Sequence, residues 1–297
     1  MALLFTAGCR EQGPTARSER LVIVATTSQV RDMAENIVGD KCEVIGLMGP
    51  GVDPHLYKPT AGDVQKLESA DIIIYSGLEL EGRMGEIFEK AESGGRTVIA
   101  AADGVPEHAL IPLAAIPGHH DPHFWFNPVL WEQAAAHVAD ELGKAVPDQE
   151  IYFQANATRF ANELKEVDSA AQSQFAELPK DQRILVTAHD AFGYFGARYG
   201  FEIHGIQGTS TVSEAGAGDV QRLADLITRK KVKAMFVETS VPKATIEALQ
   251  KAVRSRGWEI SIGGSLYSDA MGSAGTPEGT YIGMFQHNVK TIVDALK

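Results

Sequence analysis

The sequence predicts an α/β protein in which two parallel-sheet lobes are joined by a single long helix. Three observations lead to this fold class. From Leu21 onwards, short apolar segments rich in β-branched residues alternate with amphipathic segments, which is the pattern of βαβ units. Residues 148–178 then form one helical pattern that contains neither Gly nor Pro. After Pro179 the alternation of apolar and amphipathic segments begins again.

The first lobe is predicted to contain four buried strands. Each is a short apolar run that ends in Gly, polar or small residues. The strands are LVIVATT, CEVIGLM, DIIIYSG and RTVIAAA, and the helices between them are QVRDMAENIVG and AGDVQKLESA. A further helix begins near Asn127. This order of elements indicates a parallel sheet that is covered on both faces.

The long helical pattern in the middle of the chain is predicted to connect the lobes. Its apolar residues recur at steps of three or four: Phe153, Ala157, Phe160, Leu164, Val167 and Ala171. A helix of ~30 residues is ~45 Å long, which is too long for an ordinary crossover between neighbouring strands. It therefore indicates a rigid spine between two lobes.

The second lobe repeats the rhythm of the first. Its predicted strands are RILVTAHD, FEIHGIQG, VKAMFVET and WEISIGG, and its helices are DAFGYFGARYG, GDVQRLADLITRKK, PKATIEALQKAVRSRG and the closing GTYIGMFQHNVKTIVDALK. We expect a lipoprotein signal remnant and flexible tether at residues 1–20, a first lobe at 21–146, a linking helix at 147–179 and a second lobe at 180–297.

The net charge of the 297-residue chain argues for a cationic ligand. Its 39 acidic residues outnumber 27 basic ones, giving −12 at pH 7. Nucleic acid and an anionic membrane surface are therefore poor candidates for the main partner. The two cysteines, Cys9 and Cys42, do not form a CxxC pair, which excludes a thiolate zinc site or a dithiol redox motif. Cys42 opens an apolar strand and is predicted to be a small buried hydrophobic residue.

The N-terminus is similar to the end of a bacterial lipoprotein signal. The apolar run ALLFTAGC ends at Cys9 and is followed by the polar stretch REQGPTARSER. In such signals the chain is cleaved before the cysteine, which is then lipidated; here Thr6 stands at the position usually taken by Leu, and the positive n-region is missing. The alternative is an ordinary frayed N-terminus. Elsewhere the apolar runs are shorter than the ~20 residues that span a bilayer, so the remainder is expected to be soluble.

Four short stretches place a potential metal ligand at or after the end of a strand, or in a Pro-containing loop. They are GVDPHLYKPT (51–60), DPHFWFNP (121–128), TAHDAFGYF (187–195) and LYSDAMG (266–272). Ligands of open α/β sheets bind at the carboxyl ends of strands. The first two stretches belong to the first lobe and the last two to the second, so their side chains are predicted to meet in the cleft between lobes. Three imidazoles and one carboxylate suit zinc or another transition metal: His55, His123, His189 and Asp269.

The same four stretches, in this order, resemble the metal-binding receptors of ABC importers for zinc and manganese. The resemblance extends from about Leu21 to Lys297 and includes the segment GGSLYSDAMGSAGTPEGTY. It implies two α/β lobes bridged by one long helix, with one metal ligand from each stretch. It also implies an extracytoplasmic, membrane-anchored lipoprotein that passes Zn²⁺ or Mn²⁺ to an ABC permease. No catalytic residue is implied, and a monomer is expected.

Zinc is predicted ahead of manganese as the bound metal. Manganese-selective members of this class tend to carry Glu at the position of His189, whereas zinc-selective members tend to carry His with a long His-rich loop ahead of the second ligand. This chain has the His but only GHHDPH as that loop, so it is similar to members that accept both metals. Nitrogen donors favour zinc over manganese.

Carboxylates near the ligands are candidates to orient the imidazoles. They are Asp53, Asp121, Asp190 and Glu238, of which Glu238 is favoured because it ends the strand KAMFVE. Asp53 and Asp121 precede Pro54 and Pro122 and are predicted mainly to form turns.

Two other functions compete with the receptor. A metal-dependent hydrolase is disfavoured because four protein ligands fill a tetrahedral shell, while catalytic zinc keeps a position open for water. The HExxH motif is also absent. An adhesin is the other alternative, since surface lipoproteins of this class were often first described in that role.

Overall fold

A computed structural model describes residues 20–114 and 116–297. The expected lipoprotein site at Cys9 lies outside this range. The first lobe contains a parallel four-stranded sheet in the order β2-β1-β3-β4. Its strands are β1 (Leu21–Ala25), β2 (Cys42–Gly46), β3 (Ile72–Tyr75) and β4 (Thr97–Ala100). Cys42 is buried at the start of β2, which confirms its prediction as a small apolar residue.

Three helices accompany this sheet: α1 (Ser28–Val38), α2 (Ala61–Ser69) and α3 (Gly85–Ser93). Thr27 begins α1 by accepting the backbone N–H of Val30 on its hydroxyl. Thr60 and Asp63 form a reciprocal capping box at the start of α2, which satisfies two backbone donors. Helix α3 was not predicted from the sequence; it follows a short 3-10 turn at Gly82–Met84.

Two further helices lead out of the first lobe. Helix α4 (Pro128–Ala145) begins at Asn127, whose side chain accepts the N–H of Val129, and has Pro at its first position. After a 3-10 turn at Pro147–Gln149, helix α5 (Glu150–Ala176) extends over 27 residues without interruption. It packs against α1, α4 and the last helix of the chain. The predicted long connecting helix is thus present, and it is two residues shorter at each end than its predicted pattern at 148–178.

The second lobe consists of parallel strand pairs, with β5 (Ile184–His189) beside β6 (Glu202–Gln207) and β7 (Ala234–Glu238) beside β8 (Ser261–Leu266). Strands β5 and β7 lie next to each other. The helices are α6 (Gly193–Tyr199), α7 (Ala217–Lys230), α8 (Ala244–Arg254) and α9 (Tyr281–Leu296).

Strand β8 differs from its predicted extent, because it continues through Gly263 and Gly264 instead of ending there. A Cβ at Gly263 would lie 2.5 Å from the Cβ of Ala295, and one at Gly264 would lie 2.5 Å from Cγ2 of Thr291. The glycines are therefore needed for the close approach of α9 to the strand, and they do not end it.

One hydrophobic core extends from the first lobe to the second. The aromatic rings of Trp131 and Tyr281 stack with centroids 5.6 Å apart, and those of Phe126 and Phe192 stack at 4.3 Å. These residues belong to the same buried cluster as Phe153 and the other apolar residues of α5. Each lobe also has one smaller hydrophobic cluster under its outer helices. Within the described residues, we find no helix that combines the length and apolar character needed to cross a membrane.

Candidate metal centre

His55 lies in a turn that follows β2. Gly51 has a φ of 70°, a left-handed conformation that glycine adopts without strain, and it redirects the chain after Pro50. Oδ1 of Asp53 then accepts the backbone N–H of His55 at 2.9 Å, so Asp53 forms the turn as predicted. The side chain of His55 is only 3% exposed.

His123 is fixed by Asp121. Oδ1 of Asp121 accepts the backbone N–H of His123 at 2.9 Å and lies 2.7 Å from its ring Nδ1. The prediction that Asp121 would mainly form a turn was therefore incomplete, because its carboxylate also orients the imidazole. The ring of Trp125 packs edge-on against that of His123, with centroids 5.1 Å apart.

His189 is the last residue of β5, and Glu238 is the last residue of the neighbouring β7. Oε1 of Glu238 accepts the backbone N–H of His189 at 2.9 Å, and Oε2 lies 2.6 Å from Nδ1 of the ring. Glu238 thus stands where the sequence analysis placed the favoured orienting carboxylate. Among the described residues, we find no hydrogen bond or ion pair between the Asp190 side chain and these imidazoles, although its charge interacts with those of His123 and His189.

Asp269 follows β8 in a loop that the first lobe holds. The carbonyl of the preceding Ser268 accepts Nε2–H of Gln29 at 3.1 Å and Nε1–H of Trp125 at 3.2 Å. The Ser268 hydroxyl also lies 2.9 Å from that of Ser240. The carboxylate of Asp269 is thereby aimed at the histidines.

The four predicted side chains converge on one point. Nε2 of His55 lies 3.3 Å from Nε2 of His123. The Asp269 carboxylate lies 3.9 Å from Nε2 of His55, 3.5 Å from that of His123 and 3.3 Å from that of His189. All four residues are buried, and one ligand atom from each lies within 4.8 Å of the others.

The charges at this point are strongly coupled. Burial lowers the pKa of His55 to about 3, against the attraction of Asp269. Burial also opposes protonation of His123, but Asp121 and Asp269 outweigh it and raise the His123 pKa to about 9. In the same way Asp269 and Glu238 overcome burial and raise the pKa of His189 well above its ordinary value. Burial would raise the pKa of Asp269, yet His189 and His123 hold it well below its usual range.

The donor set suits a divalent transition metal. Nε2 of His189 and both carboxylate oxygens of Asp269 are buried and have no hydrogen-bond partner among the described residues. Buried polar atoms usually have such partners, so their convergence here indicates a ligand. Nδ1 of His123 and Nδ1 of His189 face carboxylates, which leaves each Nε2 free to coordinate.

Comparisons with known proteins identify relatives that are described as metal-binding. The profile of the family described as zinc-uptake complex component A, periplasmic, matches residues 23–295. The manganese-binding lipoprotein MntA of Bacillus subtilis is 46% identical over 301 residues, covering 100% of this chain and 98% of the relative. The zinc-binding protein TroA of Treponema pallidum is 46% identical over 275 residues, covering 93% and 88%. A solved structure of the periplasmic zinc-binding protein TroA superposes with a TM-score of 0.90 at 45% identity, covering 93% of this chain and 99% of that one.

Proposed function

This chain belongs to the family of periplasmic zinc-uptake component A proteins, and on that basis we propose that it is the extracytoplasmic receptor of an ABC importer. Its cargo is a divalent transition metal, which it binds with high affinity and delivers to the membrane permease. Three histidines and one aspartate hold the ion: His55, His123, His189 and Asp269. Each lobe contributes two of the four ligands.

One observation supports this proposal above the others. The four buried side chains meet within 4.8 Å, and three of the converging atoms have no hydrogen-bond partner in the described structure. Without an ion, a buried carboxylate with two unpartnered oxygens is costly. A divalent cation satisfies it and the imidazole nitrogens together.

The preferred metal in this proposal is zinc, with manganese second. Three nitrogen donors favour zinc by the Irving–Williams order, whereas manganese prefers oxygen donors. The relative from Bacillus subtilis is described as manganese-binding and the one from Treponema pallidum as zinc-binding. Both ions should therefore be tested.

The proposal also includes a lipid anchor, an extracytoplasmic location and the limits of the two lobes. Lipidation at Cys9 would hold the receptor at the outer face of the membrane, with the following residues as a tether. The relative from Bacillus subtilis is described as a lipoprotein. The receptor acts as a monomer, with a first lobe at 21–146, a linking helix at 147–179 and a second lobe at 180–297.

The proposed receptor is not an enzyme. Four protein ligands complete a tetrahedral shell around zinc, and catalytic zinc sites keep a position for water. The carboxylates next to the site, Asp121 and Glu238, contact histidine Nδ1 atoms and are committed to orienting them. The buried four-residue site accounts for a metal receptor but not for an adhesin, and the receptor is therefore the preferred function.

Metal analysis of the purified protein tests the proposal. We expect one zinc per chain, displaceable by a chelator, and stronger retention of zinc than manganese in direct competition. His189→Ala should lower zinc affinity by at least roughly 100-fold, because an inward nitrogen is lost without removing core packing. The exposed His108→Ala is the matched control and should bind as the wild type does. Absence of tight binding in the wild type, or an unchanged affinity in His189→Ala, would contradict the proposal.

A further inference from the structure

A hydrogen bond joins the two lobes beside the metal site without involving any of its four ligands. The hydroxyl of Thr211, in the loop between β6 and α7, donates to Oδ2 of Asp53 at 2.6 Å. The two residues are 158 positions apart in the chain. Thr211 is only 6% exposed and Asp53 is half-buried, and a hydrogen bond to a carboxylate is stronger than one between neutral groups.

This bond acts on the turn that carries His55. Asp53 uses one oxygen for Thr211 and the other for the backbone N–H of His55. The same turn approaches the second lobe at Gly51, where a Cβ would lie 3.3 Å from the carbonyl oxygen of Thr239. The position of His55 therefore depends on a contact made by the opposite lobe.

The loop that carries Thr211 is in turn attached to the segment of His189. The carbonyl of Gly208 accepts the N–H of Asp190, the residue after His189, at 3.3 Å. Nε2–H of Gln207 donates to the carbonyl of Ser213 and holds the far side of the loop at 3.3 Å. Hydrogen bonds and the short backbone segments between them thus connect His55 of the first lobe to His189 of the second.

We propose that Thr211 is a positioning residue that holds the His55 turn against the second lobe and so slows release of the bound metal. This inference rests on the proposed function. Before the metal leaves, the bonds from His55 to the ion must break, and displacement of the turn must also break the bond between Thr211 and Asp53. Because the extra bond resists opening and is not needed for first encounter with the ion, its loss should act on dissociation more than on association.

Stopped-flow transfer of zinc from the loaded protein to a chelator tests this proposal. We expect Thr211→Val, which keeps the shape and removes the hydroxyl, to release zinc about tenfold faster while association stays within about twofold of the wild type. Thr211→Ser should restore the slow rate. Thr209→Val makes the same chemical change two residues away in the same loop and should leave the rate unchanged.

A double-mutant cycle separates this role from a general effect on the loop. In an Asp53→Ala background, Thr211→Val should have no further effect on zinc release, because the acceptor is already gone. Hydrogen exchange at residues 51–57 of the zinc-loaded protein should be faster in Thr211→Val than in the wild type.

Three results would overturn the proposal: Thr211→Val with the wild-type release rate, an equal effect of Thr211→Val with and without Asp53, or no rescue by Ser. These results leave the receptor function intact as long as the wild type binds zinc tightly. Failure of the wild type to bind zinc or manganese would instead overturn the proposed function itself.

Discussion

Replacing Glu238 by Gln should weaken zinc binding although Glu238 is not one of the four ligands. The carboxylate accepts the backbone N–H of His189 with Oε1 and lies 2.6 Å from Nδ1 with Oε2. A Gln amide has only one acceptor oxygen. If that oxygen keeps the bond to the backbone N–H, the NH₂ group faces Nδ1, and the neutral ring must carry its proton on Nε2. Nε2 is the nitrogen that the metal needs.

The expected loss follows from the burial of this pair. Both side chains are completely shielded from solvent, so water cannot replace the missing charge. Loss of a carboxylate that orients a metal-bound histidine typically costs 10–100-fold in affinity, which is about 1.4–2.7 kcal/mol. The lost charge also makes His189 easier to deprotonate, which recovers part of the binding. The net effect remains unfavourable because Glu238 attracts a divalent ion more strongly than a single proton.

Competition with a chelator near neutral pH measures this change, and thermal unfolding verifies that the variant is folded. Glu202→Gln is the matched control, because Glu202 lies 2.8 Å from Nε2 of His204 in a carboxylate–histidine pair outside the site. We expect Glu202→Gln to bind zinc as the wild type does. A folded Glu238→Gln protein with wild-type zinc affinity would refute the reasoning.

Four further predictions concern metal choice, protons, motion and anchoring. His189→Glu should lower the ratio of zinc to manganese affinity by about tenfold or more, because oxygen replaces nitrogen, and an unchanged ratio in competition titrations counts against this. Zinc affinity should rise with pH, by up to roughly tenfold per unit for each proton released. Carboxylates outweigh burial and raise the pKa of His123 to about 9 and that of His189 well above its ordinary value. Protons therefore occupy the metal-free site at neutral pH and must leave when zinc binds. Calorimetry in buffers of different ionisation enthalpy would contradict this prediction if it detected no proton release. The radius of gyration with and without zinc should agree within roughly 1 Å, because α5 lacks a Gly or Pro at which to bend, and a change of several ångströms in small-angle scattering would exclude a rigid spine. Cys9→Ser expressed from the full-length gene should be released from the membrane fraction, and retention there would mean that a lipid at Cys9 is not the anchor.

Most of the fold could be predicted because its strands are short apolar runs with clear ends. All eight predicted strands are present, and the unbroken pattern before Pro179 gave the long helix. Helix α3 was not predicted because Gly77, Gly82 and Gly85 precede or begin it, and such closely spaced glycines are typical of a loop. The end of β8 was misplaced because the reason for its glycines is the packing of α9, and local sequence does not contain that contact.

The site was predictable to the extent that its residues follow local rules. Each of the four proposed ligands lies at a strand end, shortly after one or beside a proline, and the structure brings all four side chains together. The contact of Asp121 with the His123 ring could not be predicted in the same way, because an Asp before Pro forms a turn whether or not its carboxylate also reaches a ring. Thr211 gave no signal at all in a loop of small polar residues, since its significance comes only from a partner 158 positions away.

The way the lobes are joined indicates which parts move when metal leaves. Hinging them apart would separate Trp131 from Tyr281 and Phe126 from Phe192, whose stacked rings are buried in one continuous core. Exposing each such side chain costs about 1.5–3 kcal/mol, so separating the lobes widely requires a large free energy. The His55 turn is different, because hydrogen bonds of Asp53 attach it to Thr211 of the second lobe, and the next residue, Leu56, is already 43% exposed. Displacing this turn costs far less than parting the lobes, and metal exchange should therefore proceed through the loops around the site while the core behind them stays closed.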